Sequence, residues 1–588
     1  MQLSGGQLVV EMLKAYRVQY VFGVPGDTSL AFYDALARAQ EHGHLTHVLA
    51  RDERSAGYMA DVYARVSYRP GVTEGPSGAG ATYLAAGLAE PHASSIPVIA
   101  LTSDTPVSGE DRNTLTALDQ PALFAPITKW RTLVKRAAQI PDAMRQAFRV
   151  ACSGRPGAVQ VTLPSDVLAE GAEAAQVYPE AACQSYPAHR CRPDPAAVEQ
   201  AAAALLRARR PAIVAGGGVV TAGAWAELTA LAEALGAPVG TSICGKGAID
   251  ERHPLSLGVI GDNGGRPYGN ARLQAADLIL LVGTKTGSVT TGHWTLPPRT
   301  TDKTILHLDV DPVEVGRNYP TAVGLVGDAR LGLADLLAAV LARTTGQGFL
   351  RAAPGAAADG GQDPSLESER EAFWAAFEAK AASQAQPIKP QAVISALSRL
   401  LGGSVERERS IVVADAGTPT PFVSAYLRSG AGRQVIIPRG YGGLGYAIPG
   451  VIGAKLALRE ATVVGLTGDG SFAMSAGELE TVGRLGLPLV IAQFTNRCFG
   501  WIKVLQELYH GGRYFGVDFC DLDYAAIARG FGLVGIHVEQ PQDIEPALRA
   551  ALTCGGPAFV DIVTESETEE LPPVARWQEL REKEHAHA

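Results

Sequence analysis

The sequence predicts an α/β protein built from three doubly wound parallel-sheet domains. Short apolar runs alternate with amphipathic stretches along most of the chain, and this alternation is typical of parallel strands joined by helices. Two stretches of linker-like composition divide the alternation into three units. A hydrophobic content of 46% with 19% charged residues, in a chain of 588 residues, is typical of a protein folded along most of its length.

Charge and cysteine content exclude several classes of protein. The 51 Lys and Arg residues against 60 Asp and Glu give a net charge of −9, whereas a general nucleic-acid binder carries a basic surplus. No stretch reaches the ~18 uninterrupted apolar residues of a membrane span. The seven cysteines include no CxxC pair, so neither a disulfide framework nor a zinc site is indicated. We therefore expect a cytoplasmic protein that binds neither nucleic acid nor membrane.

The first unit is expected to span residues 1–170, followed by a linker rich in Ala, Glu and Pro at 171–192. Its predicted elements are a helix at 7–15, a strand at 20–24, a helix at 29–37, and strands at 46–49, 96–102 and 158–163.

The second unit, 193–345, is predicted to be Rossmann-like. Its elements are strands at 211–215, 278–282 and 304–310, a glycine turn at 216–218 and a helix at 224–235. A strand, a glycine turn and a helix in this order can hold a phosphate at the helix N-terminus. The three glycines do not spell GxGxxG, however, and close backbone packing would use the same residues.

A second linker is expected at 346–389, since it contains an Ala- and Gly-rich stretch. The third unit is expected at 390–566, with strands at 410–414, 462–466, 489–494 and 558–563. The charged tail, 567–588, is interpreted either as a solvated surface helix or as a lid over an active site.

The third unit carries polar residues at two strand ends. Asp469 lies between Gly468 and Gly470 after one predicted strand, and Asn496 follows the next. Consecutive βα units of a parallel sheet place both strand ends at the edge where ligands bind. A carboxylate and a side-chain amide are oxygen donors that suit Mg²⁺. The flanking glycines allow close approach of a diphosphate, and Ser471 opens a helix whose free N–H groups can face the anion.

This pattern resembles the diphosphate and magnesium motif of thiamine-diphosphate-dependent enzymes, and the resemblance extends over essentially the whole chain. The group most similar by pattern is that of acetolactate synthase and pyruvate oxidase, which includes benzaldehyde lyase. It implies a pyrimidine-binding, a middle and a diphosphate-binding domain in this order. It also implies metal ligands at Asp469, Asn496 and the backbone carbonyl of Cys498, with Gly417 and Thr418 at the diphosphate.

The resemblance also implies a catalytic acid–base group in the first unit. Glu53, in Arg51-Asp52-Glu53-Arg54-Ser55, matches the glutamate that bonds N1′ of the aminopyrimidine in relatives. Because that glutamate reaches a cofactor held by another subunit, the resemblance implies a homodimer at minimum, and we expect a homotetramer. Gln120 resembles a pocket glutamine of benzaldehyde lyase and acetolactate synthase. Leu444 matches the apolar wedge that forces the cofactor into a V shape.

The pocket residues leave the reaction outcome open. Asp27 stands where pyruvate decarboxylases carry an aspartate, which makes it a candidate proton donor, although a turn-stabilising aspartate would fit as well. The His-His pair of those decarboxylases is absent, and Leu505 stands where synthases place an acceptor-selecting tryptophan. FAD is compatible with the resemblance, but residues 283–288 lack the arginine and paired aspartates of flavin-binding synthases.

The leading hypothesis is a thiamine-diphosphate- and Mg²⁺-dependent carbon–carbon lyase or ligase. It would decarboxylate a 2-oxo acid, ligate the resulting carbanion-enamine to an acceptor, or do both, as acetolactate synthase-like enzymes do. The alternative is cleavage of a 2-hydroxy ketone or a 1,2-diketone without decarboxylation. A non-catalytic subunit would be expected to lack Glu53 or Asp469, and a nicotinamide dehydrogenase would need GxGxxG.

Overall fold

The computed structural model describes residues 2–173, 176–299, 302–345, 364–403 and 409–587. The chain forms two compact units, each assembled from separate segments. The first unit contains Met1–His189, Pro438–Glu460 and Ala473–Leu487, and the second contains Arg190–Ile437, Ala461–Phe472 and Pro488–Ala588. Within the described ranges, none of the helices combines the length and the apolar character required to cross a membrane.

The N-terminal third of the chain folds around a parallel sheet of six strands, in the order β3-β2-β4-β5-β7-β6. A separate antiparallel pair joins β1 to β8. The strands are β1 (Gln2–Ser4), β2 (Tyr20–Gly23), β3 (Thr46–Leu49), β4 (Gly71–Gly75), β5 (Val98–Asp104), β6 (Trp130–Leu133), β7 (Val159–Pro164) and β8 (Gly171–Glu173). The helices are α1 (Gly5–Ala15), α2 (Leu30–Glu41), α3 (Glu53–Ser67), α4 (Ala79–Ser94), α5 (Gln120–Phe124), α6 (Ile140–Cys152) and α7 (Ser165–Ala169).

The middle sheet also has six parallel strands, in the order β11-β10-β9-β12-β13-β14. Counted along the chain this is 3-2-1-4-5-6, the strand order of dinucleotide-binding folds. The strands are β9 (Pro211–Ala215), β10 (Val239–Thr241), β11 (Ser256–Val259), β12 (Leu278–Val282), β13 (Thr304–Asp309) and β14 (Val323–Val326). The helices are α8 (Pro195–Arg207), α9 (Gly217–Ala222), α10 (Trp225–Leu235), α11 (Pro267–Ala275), α12 (Ala329–Thr345) and, after it, α13 (Pro364–Ala381).

The third sheet repeats the topology of the first, in the order β16-β15-β17-β18-β20-β19. Its strands are β15 (Ser410–Ala414), β16 (Val435–Ile436), β17 (Thr462–Gly468), β18 (Val490–Thr495), β19 (Val534–Val538) and β20 (Ala558–Val563). The helices are α14 (Pro390–Leu400), α15 (Pro419–Tyr426), α16 (Ala447–Ala457), α17 (Asp469–Ser475), α18 (Glu478–Leu485), α19 (Gly500–His510), α20 (Tyr524–Gly530), α21 (Ile544–Thr553) and α22 (Ala575–His587).

These three parallel sheets with helices between their strands confirm the predicted fold class. The predicted strands at 46–49, 211–215, 278–282, 410–414 and 558–563 coincide with β3, β9, β12, β15 and β20. Part of the stretch predicted as the second linker, 346–363, lies outside the described residues, and α13 occupies 364–381.

Helix α3 lies in the centre of the first unit, and nearly all of its residues are buried. Glycines allow its neighbours to approach closely. A Cβ added at Gly57 of α3 would lie 2.9 Å from the Cα atom of Gly87 in α4, and one added at Gly453 of α16 would lie 2.2 Å from the carbonyl oxygen of Met59. This close packing on two sides fixes the position of Glu53, the first residue of α3.

Candidate active site

Asp469 lies at the carboxyl end of β17, where the chain enters α17, and is 3% exposed. Its Oδ1 accepts the N–H of Gly470 at 2.9 Å, and its Oδ2 accepts the N–H groups of Asn496 at 3.1 Å and Arg497 at 2.6 Å. Burial raises the pKa of the Asp469 carboxyl to about 6, although these N–H groups act in the opposite direction. The carboxylate thus ties the end of β17 to the end of β18.

The turn after β18 brings Asn496 and Cys498 beside Asp469. Arg497, between them, has a φ of 59°, a left-handed conformation that non-glycine residues adopt rarely. This turn directs the N–H groups of residues 496 and 497 towards Asp469. The Asn496 Oδ1 atom accepts the N–H of Cys498 at 3.3 Å. Cys498 itself is buried, and burial raises the pKa of its thiol to about 12, so the thiol is protonated at neutral pH.

Sequence reasoning missed a second buried carboxylate, Glu567, because it lies in the segment interpreted as a charged tail. Glu567 is 1% exposed and accepts hydrogen bonds from the Asn496 Nδ2 atom at 3.0 Å and from the hydroxyl of Thr418. It also lies against Gly500, where a side chain could not fit. Burial raises the pKa of the Glu567 carboxyl to about 7. The only available signal was its position a few residues after the last predicted strand.

The residues predicted to contact a diphosphate converge at the carboxyl ends of β15 and β17. Gly417 has a φ of +95°, which favours glycine, and a Cβ added there would meet no atom of the described residues within 4 Å. A Cβ added at Gly468 would lie 3.8 Å from the Thr418 Oγ1 atom, and one added at Gly470 would collide with the Phe499 ring at 2.7 Å. Ser471 is buried, and its hydroxyl donates to the Ala416 carbonyl at 3.5 Å.

The oxygen donors at the carboxyl edge of the third sheet are of the kind that suits a divalent cation such as Mg²⁺. Asp469 and Glu567 are buried, and the Asp469 charge contributes to the raised pKa of Glu567. Among the described residues, neither carboxylate has a Lys, Arg or His within ion-pair distance. A buried acid without a cationic side chain either keeps a proton, as the raised pKa values of these two groups allow, or binds a metal ion. The Asn496 amide oxygen and the Cys498 carbonyl add two hard donors of the kind Mg²⁺ prefers.

The other four predicted site residues, Glu53, Gln120, Asp27 and Leu444, belong to the compact unit made of residues 1–189, 438–460 and 473–487. Glu53 opens helix α3 and is 8% exposed, and burial raises the pKa of its carboxyl. Asp52 caps the helix by accepting the N–H groups of Arg54 at 2.8 Å and Ser55 at 3.3 Å, which orients the first turn. A Cβ added at Gly80 would lie 2.9 Å from the Glu53 Oε1 atom, so the first turn of α4 lies directly against this carboxyl.

Gln120 and Asp27 differ in their surroundings. Gln120 is fully buried, which excludes a surface glutamine, and its Nε2 atom donates to the Ser103 carbonyl at 2.8 Å. Its Oε1 atom has no hydrogen-bond partner in the described part of the chain. Asp27 is exposed and begins a short 3₁₀ turn after β2. The next residue, Thr28, donates to or accepts from the Ser103 hydroxyl at 2.8 Å, which connects this turn to the end of β5.

Leu444 is half-buried in the loop before α16. Two flanking glycines have left-handed φ angles, +84° at Gly442 and +76° at Gly445, so the loop conformation depends on glycine at both positions. A Cβ added at Gly443 would lie 2.2 Å from the Tyr58 hydroxyl oxygen of α3. Leu444 is therefore presented by a loop that lies tightly on α3.

Three family models match the chain in the order that the sequence predicts. They are the N-terminal TPP binding domain of thiamine pyrophosphate enzymes at residues 3–123, the central domain at 198–336 and the C-terminal TPP binding domain at 415–562. Known relatives match over nearly the full length. A probable acetolactate synthase large subunit of Methanocaldococcus jannaschii is 33% identical over 97% of this chain and 93% of that protein.

The chain belongs to the thiamine-diphosphate-dependent enzymes. Two further relatives are the acetolactate synthase isozyme 3 large subunit of Escherichia coli, 33% identical over 94% of this chain and 92% of that protein, and an acetolactate synthase of Arthrospira platensis, 30% identical over 98% and 96%. These matches confirm the predicted group, that of acetolactate synthase and pyruvate oxidase. As a thiamine-diphosphate-dependent enzyme of this group, the protein is a carboligase or decarboxylase that acts on a 2-oxo acid. Cleavage of a hydroxy ketone or diketone without decarboxylation is not favoured.

Proposed function

We propose that this enzyme decarboxylates a 2-oxo acid and transfers the remaining acyl unit to a carbonyl acceptor, as an acetolactate synthase-like carboligase. The observation that carries the proposal is the set of oxygen donors at the ends of β17 and β18, Asp469, Asn496 and the Cys498 carbonyl, in a chain whose relatives are acetolactate synthases. Pyruvate, the donor from which acetolactate is built, is the first substrate to test.

The proposed cofactor site lies at the edge of the third sheet. Asp469, Asn496 and the Cys498 carbonyl would hold Mg²⁺, and the diphosphate would lie along Gly417, Thr418, Gly468, Gly470 and Ser471. When bound, thiamine diphosphate supplies the carbon nucleophile and the electron sink that decarboxylation requires. The metal ligands would hold the Mg²⁺ ion that neutralises the diphosphate. The glycines would allow the backbone to lie close to the diphosphate and so fix its position.

Glu53 is the proposed acid–base residue, and Leu444 the proposed wedge. The Glu53 carboxyl would bond N1′ of the aminopyrimidine and move a proton there, a role that a buried carboxyl of raised pKa can perform near neutral pH. Leu444 would hold the cofactor in its bent conformation. The free Oε1 atom of the buried Gln120 supports a role in orienting a polar group of the substrate. Asp27, which is exposed, is the proposed proton donor.

We propose at least a homodimer, and a homotetramer as the working assembly, in the cytoplasm. FAD remains compatible with the family, but the sequence of the loop at 283–288 differs from that of the corresponding loop in flavin-binding synthases. The carbonyl groups of Lys285 and Thr286 in this loop accept hydrogen bonds from the Asn318 side chain. An absorbance scan of the purified protein determines the flavin content.

Two matched variants test the proposed site. Glu53→Gln should retain thiamine diphosphate and Mg²⁺ at about one per chain while losing about 100-fold or more of turnover, since a general acid–base group contributes at this level. Asp469→Ala should lose both ligands together. Ligand content is measured by denaturing release and mass analysis, and turnover with a panel of 2-oxo acids and acyloins. An active Glu53→Gln variant, or turnover of acyloins alone, would contradict the proposal.

A further inference from the structure

A buried glutamate, Glu90, binds the backbone of the loop that carries Leu444. Glu90 lies in α4 and is fully buried. Its Oε1 atom accepts the N–H of Gly440 at 3.0 Å, and its Oε2 atom accepts the N–H groups of Tyr441 at 2.7 Å and Gly442 at 3.0 Å. Three successive N–H groups that point at one carboxylate form an anion-binding nest. The anion that fills this nest is a side chain of the protein itself.

The other end of the same loop is held by the same group of charges. The Tyr446 hydroxyl donates to the Asp61 Oδ2 atom at 2.5 Å. Arg65 forms two hydrogen bonds of 3.0 Å to Asp61 and an ion pair of 3.4 Å with Glu90. Tyr446, Asp61 and Arg65 are all buried. Leu444 therefore lies between two anchor points, residues 440–442 and Tyr446, that belong to one buried network.

The network and the loop depend on each other electrostatically. Asp61 and Glu90 together carry two negative charges, and Arg65 supplies a single positive one. Besides Arg65, Glu90 has the Ser94 hydroxyl and the three backbone N–H groups of the loop as hydrogen-bond donors, and a buried carboxylate that lacks donors is strongly unfavourable. If the loop moved away, Glu90 would lose these donors while still surrounded by protein. Departure of the loop is thus opposed by the cost of removing three hydrogen bonds from a buried carboxylate that keeps only Arg65 and Ser94 as described partners.

We propose that Glu90 is a positioning residue that holds the 440–446 loop in the conformation in which Leu444 supports the bent cofactor. Glu90 acts through the backbone of residues 440–442 and is not itself a catalytic residue. This inference rests on the proposed role of Leu444. Glu90→Gln would replace one carboxylate oxygen by an amide that itself donates, so at least one loop N–H would face another donor and the loop would loosen.

The first experiment needs no cofactor. Hydrogen–deuterium exchange of the peptide that contains residues 440–442 should be slow in the wild-type protein and at least about tenfold faster in Glu90→Gln, because charge-assisted hydrogen bonds to these amides are lost. Tyr83→Phe is the control: Tyr83 is an exposed residue of the same helix, α4, so its change should leave the loop amides protected. Unchanged exchange in Glu90→Gln would overturn the proposal. If Glu90→Gln does not fold, Glu90→Asp makes the same test, because its shorter side chain withdraws the carboxylate from the N–H groups of residues 440–442.

The second experiment separates this inference from the role of Leu444. The rate of hydrogen–deuterium exchange at C2 of bound thiamine diphosphate is measured by NMR, in variants that retain the cofactor. Leu444→Ala and Glu90→Gln should each slow this exchange about tenfold or more, and the double variant should be no slower than Leu444→Ala alone. A wild-type rate in Leu444→Ala would refute the wedge. A slow Leu444→Ala with a wild-type rate in Glu90→Gln would refute the positioning role alone.

Discussion

At the residue scale, Glu567 connects two predicted site residues that are distant in sequence. Its carboxylate accepts from Thr418, at the proposed diphosphate site, and from the amide of Asn496, a proposed metal ligand. The bond from Nδ2 leaves the Asn496 Oδ1 atom as the group available to a cation. Glu567 is thus suited to orient the amide and to add negative charge close to the metal.

Glu567→Gln should weaken Mg²⁺ binding about tenfold, the usual effect of losing a partner that orients a metal ligand. The variant removes a negative charge, and its amide group would face either Thr418 or Asn496, both of which donate. Mg²⁺ titrations monitored by protein fluorescence in the presence of thiamine diphosphate measure the effect. Glu582→Gln, at an exposed residue of α22, is the control and should bind Mg²⁺ like the wild type. Unchanged affinity in Glu567→Gln would show that Asn496 is oriented without it.

Glu74 should make the stability of the protein depend on pH. It lies on β4, is 1% exposed, and accepts the Tyr33 hydroxyl at 2.7 Å. Burial raises its pKa from 4.5 to about 8, and the nearby Glu53 charge adds to this. Between these two values the folded state retains a proton that the unfolded state has released. The stabilisation is therefore complete below pH 4.5 and is lost as the pH rises through 8.

Glu74→Gln should remove this pH dependence, since glutamine can still accept from Tyr33 and does not ionise. A shift of one pKa unit corresponds to about 1.4 kcal/mol. Between pH 5 and pH 8.5 the wild type should therefore lose a few kcal/mol of unfolding free energy relative to the variant. Melting temperatures of the cofactor-free protein measure it. As a control, Glu41→Gln at an exposed residue should change the melting temperature by the same amount at pH 5 and at pH 8.5. A difference for Glu74→Gln that does not vary with pH would contradict the prediction.

At the element scale, the packing of α16 on α3 depends on a single glycine. Gly453→Ala would place a Cβ 2.2 Å from the backbone oxygen of Met59, and backbone cannot give way as a flexible side chain can. We expect a loss of about 1–3 kcal/mol, the usual cost of overpacking, seen as a lower melting temperature. Gly530→Ala, also in a helix but with no atom within 4 Å of the added Cβ, should not destabilise. Equal melting temperatures for both variants would refute the steric argument.

Elements were predictable from sequence where their signal is local. The strand at 211–215 is a short apolar run bounded by proline and glycines, and the structure has β9 at the same residues. The strand at Gly71–Gly75 was missed because two glycines, Thr73 and Glu74 hide its buried character. The association of α16 and α18 with the N-terminal unit could not be predicted, since it depends on contacts between residues about 400 positions apart, such as that of Arg51 with Glu478.

Across the whole molecule, the candidate site likewise contains residues that the sequence indicates and residues that only the folded structure reveals. Asp469 and Asn496 were found because each follows an apolar strand, and strand ends of a parallel sheet share an edge. Glu90 lies 350 positions from Gly440, and Glu567 lies 71 from Asn496, so no local pattern indicates either contact. Residues whose chemistry depends on the strand that precedes them are readable from the sequence. Those that act on a distant segment need the folded structure.

Mixing two inactive variants tests whether the active site is shared between two subunits. If Glu53 of one subunit serves the cofactor held by Asp469 of another, two inactive variants should complement each other. A mixed dimer of Glu53→Gln and Asp469→Ala chains would contain one site with both changes and one with neither. With random mixing, about half of the dimers contain one chain of each variant. Each such dimer has one intact site out of two, so activity should recover to about a quarter of the wild-type value.

The measurement is turnover of a 2-oxo acid after the two variants are unfolded and refolded together, with each variant refolded alone as the control. Refolded wild-type protein sets the recoverable activity. If each chain instead combined its own Glu53 with its own Asp469, every site in the mixture would carry one defect and no activity would return. Recovery near a quarter therefore requires both a dimer and a site shared between its subunits, whereas no recovery, with refolded wild type active, would refute the shared site.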